Sequence, residues 1–172
     1  MTIRPNGTFQ LPELVGGLYQ ICAQASGAAW IGSCEWGSRG TTTTISADQP
    51  LTNVNIVLSK GALINVRVDD PAQLLPAHEG KTPGAHLLLG VGTDSHFFQV
   101  ATLASQDGAG RNYRMLVPFD RAVNVSVTGG FFQLSDAGGK VLPRFGNMIP
   151  VLVPSGQQPA ALRLTVSGKS TQ

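Results

Sequence analysis

The chain of 172 residues carries 12 Lys and Arg and 10 Asp and Glu, so charged residues make up 13% of it, against roughly 25% in ordinary soluble domains. Its formal charge of +2 is spread over isolated basic side chains, with no basic run and no interleaved aromatics, which argues against a nucleic-acid surface. No apolar stretch approaches the roughly 20 residues of a bilayer span, and Met1-Thr2-Ile3-Arg4-Pro5-Asn6 lacks the apolar segment of a signal peptide, so an exported chain would carry its leader ahead of this numbering.

Gly and Pro, 21 and 11 residues, interrupt nearly every window before three helical turns could form, and strand patterns fill the chain instead. Gly7-Thr8-Phe9-Gln10-Leu11 opens the series. Leu18 to Cys22 and Trp30 to Cys34 follow as two segments able to lie side by side as neighbouring strands. Cys22 and Cys34 are too few for a structural zinc site; they either close a disulfide, worth about 3 kcal/mol for so short a loop, or stay as two buried thiols. Thr41 to Thr44 is β-prone. Val54, Ile56 and Leu58 alternate with Asn53 and Asn55, and Ile64, Val66 and Val68 with Asn65, Arg67 and Asp69, the two-residue period of half-buried strands.

The apolar run Ala85 to Val91 and the pair Phe97-Phe98, separated by Gly92-Thr93-Asp94-Ser95, read as a central hairpin. Val123, Val125 and Val127, then Leu162, Leu164 and Val166, repeat the alternation. Turn chemistry at Asp70-Pro71, Pro83-Gly84, Asp107-Gly108, Gly129-Gly130, Gly138-Gly139 and Pro154-Ser155-Gly156 punctuates these strands, so the chain is expected to be all-β and sandwich-like.

A weak internal duplication organises the series. Phe9 to Tyr19 and Tyr113 to Val123 are equally spaced, and Asn53 to Ser59 mirrors Ala161 to Ser167. The first copy then lacks everything equivalent to residues 61–102. Two units are expected: residues 1–58, a partial sandwich without its opening strands, and residues 59–172, a complete sandwich. A half-sandwich leaves an unpaired edge and an uncovered apolar face, which either lost upstream strands or a strand from a neighbouring subunit would complete.

Gly7-Thr8-Phe9-Gln10-Leu11-Pro12-Glu13-Leu14 followed by Gly16-Gly17-Leu18-Tyr19-Gln20-Ile21 resembles the carboxypeptidase regulatory-like and collagen-binding B-type repeats of bacterial surface and secreted proteins. The resemblance implies transthyretin-like (Ig-like) β-sandwiches, and it covers the first unit. Residues 59–172 look like the companion domain that follows such repeats, with Val66-Arg67-Val68-Asp69-Asp70-Pro71 and Gly110-Arg111-Asn112-Tyr113 as the matching stretches. Lys60 and Asn124 do not align with the Lys-to-Asn crosslink of some collagen-binding repeats, so no isopeptide residues are carried over.

Candidate chemistry is sparse. His78, His86 and His96 lack the spacing of a metal site, even with Asp69, Asp70, Asp94 or Glu79 at hand. Asp69-Asp70-Pro71 offers carboxylates for calcium but also fits a strand-ending turn. Ser33, Ser105 and Ser155 are placed in loops, with no nucleophile elbow. Trp30 and Trp36, bracketing Cys34, are candidate stacking residues for a glycan, or interface contacts, or plain core. Asn6 and Asn124 match the N-linked acceptor pattern, and Thr41, Thr42, Thr43 and Thr44 are candidate O-linked acceptors.

No acid, base, nucleophile and oxyanion-donor set assembles, so no catalytic residues, metal or cofactor are expected. The weakly charged surface suits an extracellular or cell-surface protein. The expected role is a structural subunit associating with copies of itself into a fibre or surface layer; the alternative is a glycan- or protein-binding module of a larger surface protein.

Overall fold

A computed structural model of the chain describes residues 4, 6–25, 29–47, 49–75, 87–93, 96–128, 132–143 and 148–169, of which 96–98 and 169 by their backbone alone. Among them lie twelve strands and no helix: β1 Gly17–Ile21, β2 Trp30–Ile31, β3 Thr41–Ile45, β4 Ser59–Asp69, β5 Leu88–Thr93, β6 His96–Val100, β7 Thr102–Asp107, β8 Gly110–Pro118, β9 Val123–Thr128, β10 Phe132–Asp136, β11 Met148–Val151 and β12 Leu162–Lys169. They form three sheets. The largest has the order β10-β12-β4-β8-β7, with β2 joined to the start of β4; the second runs β11-β9-β5-β6; the third is the two-stranded β1–β3 ribbon.

The first two sheets make the expected sandwich, and alternation explains why. Along β4, Ile64, Val66 and Val68 are fully buried while Leu63 and Asn65 face solvent. Tyr113, Met115 and Val117 on β8 and Leu164 and Val166 on β12 point the same way, and all join one cluster with Leu89, Val91, Val123, Val125 and Val127 of the second sheet. Burying a side chain of this size contributes about 1.5–3 kcal/mol, which is how a chain with so few charges holds its fold. β4 is central: β8 pairs antiparallel on one side from Gly61 to Asp69, and β12 pairs parallel on the other from Val66 to Asp69. The expected hairpin is present as the β5–β6 pair. One residue, Ala101, then carries the chain from the second sheet into β7 of the first, its N–H donating to the Leu89 carbonyl (2.9 Å).

Two expectations about strand pairing fail. The segments around the cysteines do not pair with each other: β1 pairs with β3, and β2 pairs with β4 through Trp30↔Lys60 and Ile31↔Ser59. The reason lies in packing. Ile31 and Trp36 belong to the sandwich core, so this stretch crosses the boundary placed at residue 58 and covers the end of the large sheet. Gly61 makes room for it, since a Cβ there would meet the Val117 carbonyl oxygen at 2.5 Å and Ile31 Cδ1 at 2.9 Å. The second failure is at Asn53–Leu58, which has the strand pattern but joins no ladder; Asn53 takes a left-handed φ of 61° and the first pairing comes only at Ser59. The proposed mirror between this segment and β12 is therefore absent from the pairing. Ser105 also lies within β7 rather than in a loop.

On the solvent face of the large sheet, ion pairs bind three strands. Arg67 donates from Nε to Asp69 (3.0 Å) and through both terminal nitrogens to Asp107 (2.7 and 2.8 Å), while Arg163 bonds the other oxygen of Asp69. The bonds from Arg67, then that from the Ala109 N–H, hold the Asp107 carboxyl down from its ordinary 3.8 to about 2. Arg163 first, then Arg67, lower Asp69 as well. Asp70 instead ends β4: its two oxygens accept the N–H groups of Leu74 and Leu75 (both 2.8 Å), the turn expected before Pro71.

Two outcomes are expected. Ile64→Ala should cost about 2–5 kcal/mol in urea denaturation, while Leu18→Ala on the ribbon should stay within about 0.5 kcal/mol. Because Asp107 and Asp69 are lowered, their stabilisation is present above the unfolded value near 3.8 and is lost as pH falls toward 2. Thermal melting should therefore drop across that window, and Asp107→Asn should flatten the drop.

Candidate functional site

The feature that stands apart from the sandwich is the β1–β3 ribbon. Its register runs from Gly17↔Ile45 to Ile21↔Thr41, which places Tyr19, Ile21, Thr41, Thr43 and Ile45 on one face, all half-buried. The other face carries Leu18, 75% exposed, with Gln20, Thr42 and Thr44. None of these residues enters the core cluster. A two-stranded ribbon without a covered face is marginal alone, so its attachments matter.

The main attachment is covalent. Cys22, just past β1, bonds Cys34 in the turn that Trp36 and Ile31 seat in the sandwich (S–S 2.01 Å, Cα–Cα 5.4 Å). Around it the Ala23 N–H donates to Ser33 Oγ (2.9 Å), the Ser33 N–H to the Ala23 carbonyl (2.9 Å), and the Gly32 N–H to the Glu35 carboxylate (2.9 Å). Gly40, with φ 63°, lets the chain enter β3 past this knot; a Cβ there would overlap Cys34 Sγ and press the Ile21 carbonyl at 2.8 Å. Arg121 Nη1 donates to the Trp36 carbonyl (2.8 Å) and holds the turn from the other side.

Beside the ribbon lies a groove of about 860 Å³, walled by residues 7–14 on one bank and 49–55 on the other, with Ile21 and Ile45 between. Phe9, Leu11, Leu14, Leu51 and Val54 give it apolar patches, set among polar side chains such as Arg4, Gln10, Gln49 and Asn53, so its lining is mixed. Along the second bank, residues 51–58 make no backbone-to-backbone hydrogen bond among the described residues. Among the described residues their one hydrogen bond to the ribbon is Thr41 Oγ1 donating to the Asn55 carbonyl (3.3 Å). Val54, Ile56 and Leu58 are half-buried and Val57 is 81% exposed.

The sheet edges differ in how they are guarded. β11 carries Pro150, and β10 is bridged on its outer side through Ser135↔Val141 and the Leu142 N–H to Leu134 carbonyl bond (2.8 Å). Register shifts at Val91/Gly92 and Leu103/Ser105 bend the pairings of β6 and β7, and β7 ends at the ion-paired Asp107. Such devices discourage edge-to-edge pairing. β1 and β3, Gly-Leu-Tyr-Gln-Ile and Thr-Thr-Thr-Thr-Ile, carry no charge, Pro or bulge.

The other candidate residues are scattered. Trp36 is 6% exposed in the core, which corrects its reading as a ligand contact: the indole fills the end of the sandwich. Trp30 is half-buried on β2, with Lys60 Nζ 5.6 Å from its ring centroid. Asn6 is exposed, and its Oδ1 accepts the N–H (3.1 Å) and Oγ1 (2.7 Å) of Thr8. Asn124 is half-buried within β9, opposite Pro150 and Gly92. Thr42 and Thr44 face solvent while Thr41 and Thr43 face the groove side. His78, His86, Glu79 and Asp94 lie outside the described residues, as does the side chain of His96. A second depression of about 470 Å³, lined by Asp70, Gln106, Asp107 and the buried Arg111, has no Ser, Cys or His among its described lining residues.

No family model, no curated protein and no solved structure matches the chain.

Sequence reasoning marked Leu18–Cys22 and Thr41–Thr44 as strand-prone but not their pairing, and it missed that residues 51–58 join no ladder among the described residues, because alternation reports a strand and not its neighbour. Counting partners would have found it: once residues 30–31 pair with the start of β4, no strand is left beside 53–58. Loss of the disulfide in the Cys22→Ser/Cys34→Ser variant removes a restraint of about 3 kcal/mol on the ribbon. Amides of β1 and β3 should then exchange about a hundredfold faster with solvent deuterium, while those of β4 and β8 keep their protection.

Proposed function

We propose that this protein is an extracellular structural subunit that associates with copies of itself by β-strand complementation, with the open N-terminal ribbon as the place of contact. The observation that carries this reading is the contrast between two parts of one chain. The sandwich closes its core and guards its edges, whereas among the described residues the ribbon keeps an unguarded strand edge, carries an exposed Leu18 and borders a groove of mixed polar and apolar lining. Strand addition satisfies those backbone groups directly, and side chains on alternate positions then fill the groove. An interaction between two different surfaces does not close on itself, so repetition gives a filament.

The low charge density removes the repulsion that keeps chains apart, and the Cys22–Cys34 bond suits an oxidising compartment. The resemblance of residues 7–21 to bacterial surface repeats points the same way. A glycan-binding role draws less support, since of its two stacking residues Trp36 is in the core and Trp30 shares its ring with Lys60.

Negative-stain electron microscopy and sedimentation of the purified chain over a range of concentrations test the proposal. Filaments of regular width, or mass that grows with concentration, are expected. A single species of one chain's mass up to the highest concentration would rule it out.

A further inference from the structure

We infer that Asn53–Leu58 is the strand one copy donates, and that the outer edge of β1 on a second copy is its acceptor. This assignment rests on the self-association proposed above and supplies its two surfaces.

The donor is identified by what it lacks. Asn-Val-Asn-Ile-Val-Leu is uncharged and free of Gly and Pro, the composition of segments that pair readily as strands. Inside its own chain it finds no ladder: its backbone makes no hydrogen bond to another backbone group among the described residues, and Val57 stands 81% exposed. It cannot slide into β4's sheet, because Trp30–Ile31 already occupies the start of β4. Apart from the Asn55 carbonyl, which accepts from Thr41 Oγ1, its backbone groups make no hydrogen bond among the described residues, in a segment whose side chains favour burial.

The acceptor follows from where that segment lies. Asn55 is tied through its carbonyl to Thr41, the first residue of β3, so the donor of the same copy stands on the β3 side of the ribbon. The outer edge of β1 lies on the other side of the ribbon and pairs with no second strand among the described residues. β1 spans five residues, which a segment of this length covers, and neither partner brings a charge into the ladder. Pairing of Asn53–Leu58 with β1 of the next copy would extend the ribbon to three strands and bring the exposed Val57 and Leu18 out of water. Donor and acceptor are different surfaces, so each copy keeps one of each free and the chain of copies grows.

Two variants separate the surfaces. Val57→Pro removes a donor N–H from the ladder at a position where it serves no partner in its own chain, leaving β1 intact. Leu18→Asp places a charge on the acceptor, leaving Asn53–Leu58 intact. Each is expected to keep the wild-type melting temperature and to weaken association at least about tenfold in sedimentation. An equimolar mixture of the two should form dimers and nothing longer, because only one productive contact is possible. Should Val57→Pro disturb folding, Val57→Lys takes its place on the same exposed position.

Wild-type chains that stay single would overturn both this assignment and the self-association beneath it. Wild-type filaments that persist in folded Val57→Pro or Val57→Lys would overturn the assignment alone. Folded variants that each fail to assemble but give no mixed dimer would also overturn it, because the intact donor of one and the intact acceptor of the other would then not pair.

Discussion

The inward alternation along β4 is the constraint on which the rest of this structure depends. Ile64, Val66 and Val68 are wholly buried because strands flank β4 on both sides and a second sheet covers it. Each neighbour is then obliged to match that face, and the matching valines of β9 and β5 complete a dry interior built almost entirely from branched aliphatic side chains. Among the described residues most charged side chains lie at the rim or on the outer faces, the buried Asp70 and Arg111 aside, and Arg67, Asp69, Asp107 and Arg163 tie β4 to β7 and β12. Screening by solvent keeps each exposed ion pair weak, so their role is to select alignment more than to supply stability.

The two ends of the chain live under different rules. In the sandwich, a strand that lost its partner would expose the core, so opening is costly. At the ribbon, no fully buried side chain is at stake, and the disulfide to the Cys34 turn takes over the work a core would do. Local stability follows buried contacts, so the ribbon and the groove beside it are expected to open at a lower free energy than the sandwich. Association sites come from this low-stability class because a surface already satisfied has nothing to gain.

Much of the sandwich was legible in the sequence, since period-two alternation at Ile64–Val68, Val123–Val127 and Leu162–Val166 depends only on each strand having one wet face. The turn at Asp70 was legible for the same local reason: a carboxylate beside Pro71 has backbone amides within reach. What the sequence withheld was non-local. Nothing in Trp30-Ile31 states that it pairs with residues 59–60, and nothing in Asn53–Leu58 states that its alternation goes unused. Trp36 misled because an aromatic in a Gly-rich stretch reads as surface until the cavity it fills is known. The open ribbon could be anticipated only by asking which strands had no one left to pair with.

The parallel pairing of β4 with β12 has a mechanical consequence. The ribbon leads into β4 at Ser59, and β12 runs beside it in the same direction, matched from Leu162↔Val66 to Thr165↔Asp69. Tension between the ribbon and the far end of β12 pulls these neighbours in opposite senses along their common axis. The hydrogen bonds between them are then loaded together in shear, not peeled apart one after another, and they must all fail at once. A subunit joined to its neighbours through its N-terminal ribbon would thus place its strongest arrangement of bonds directly in the line of force.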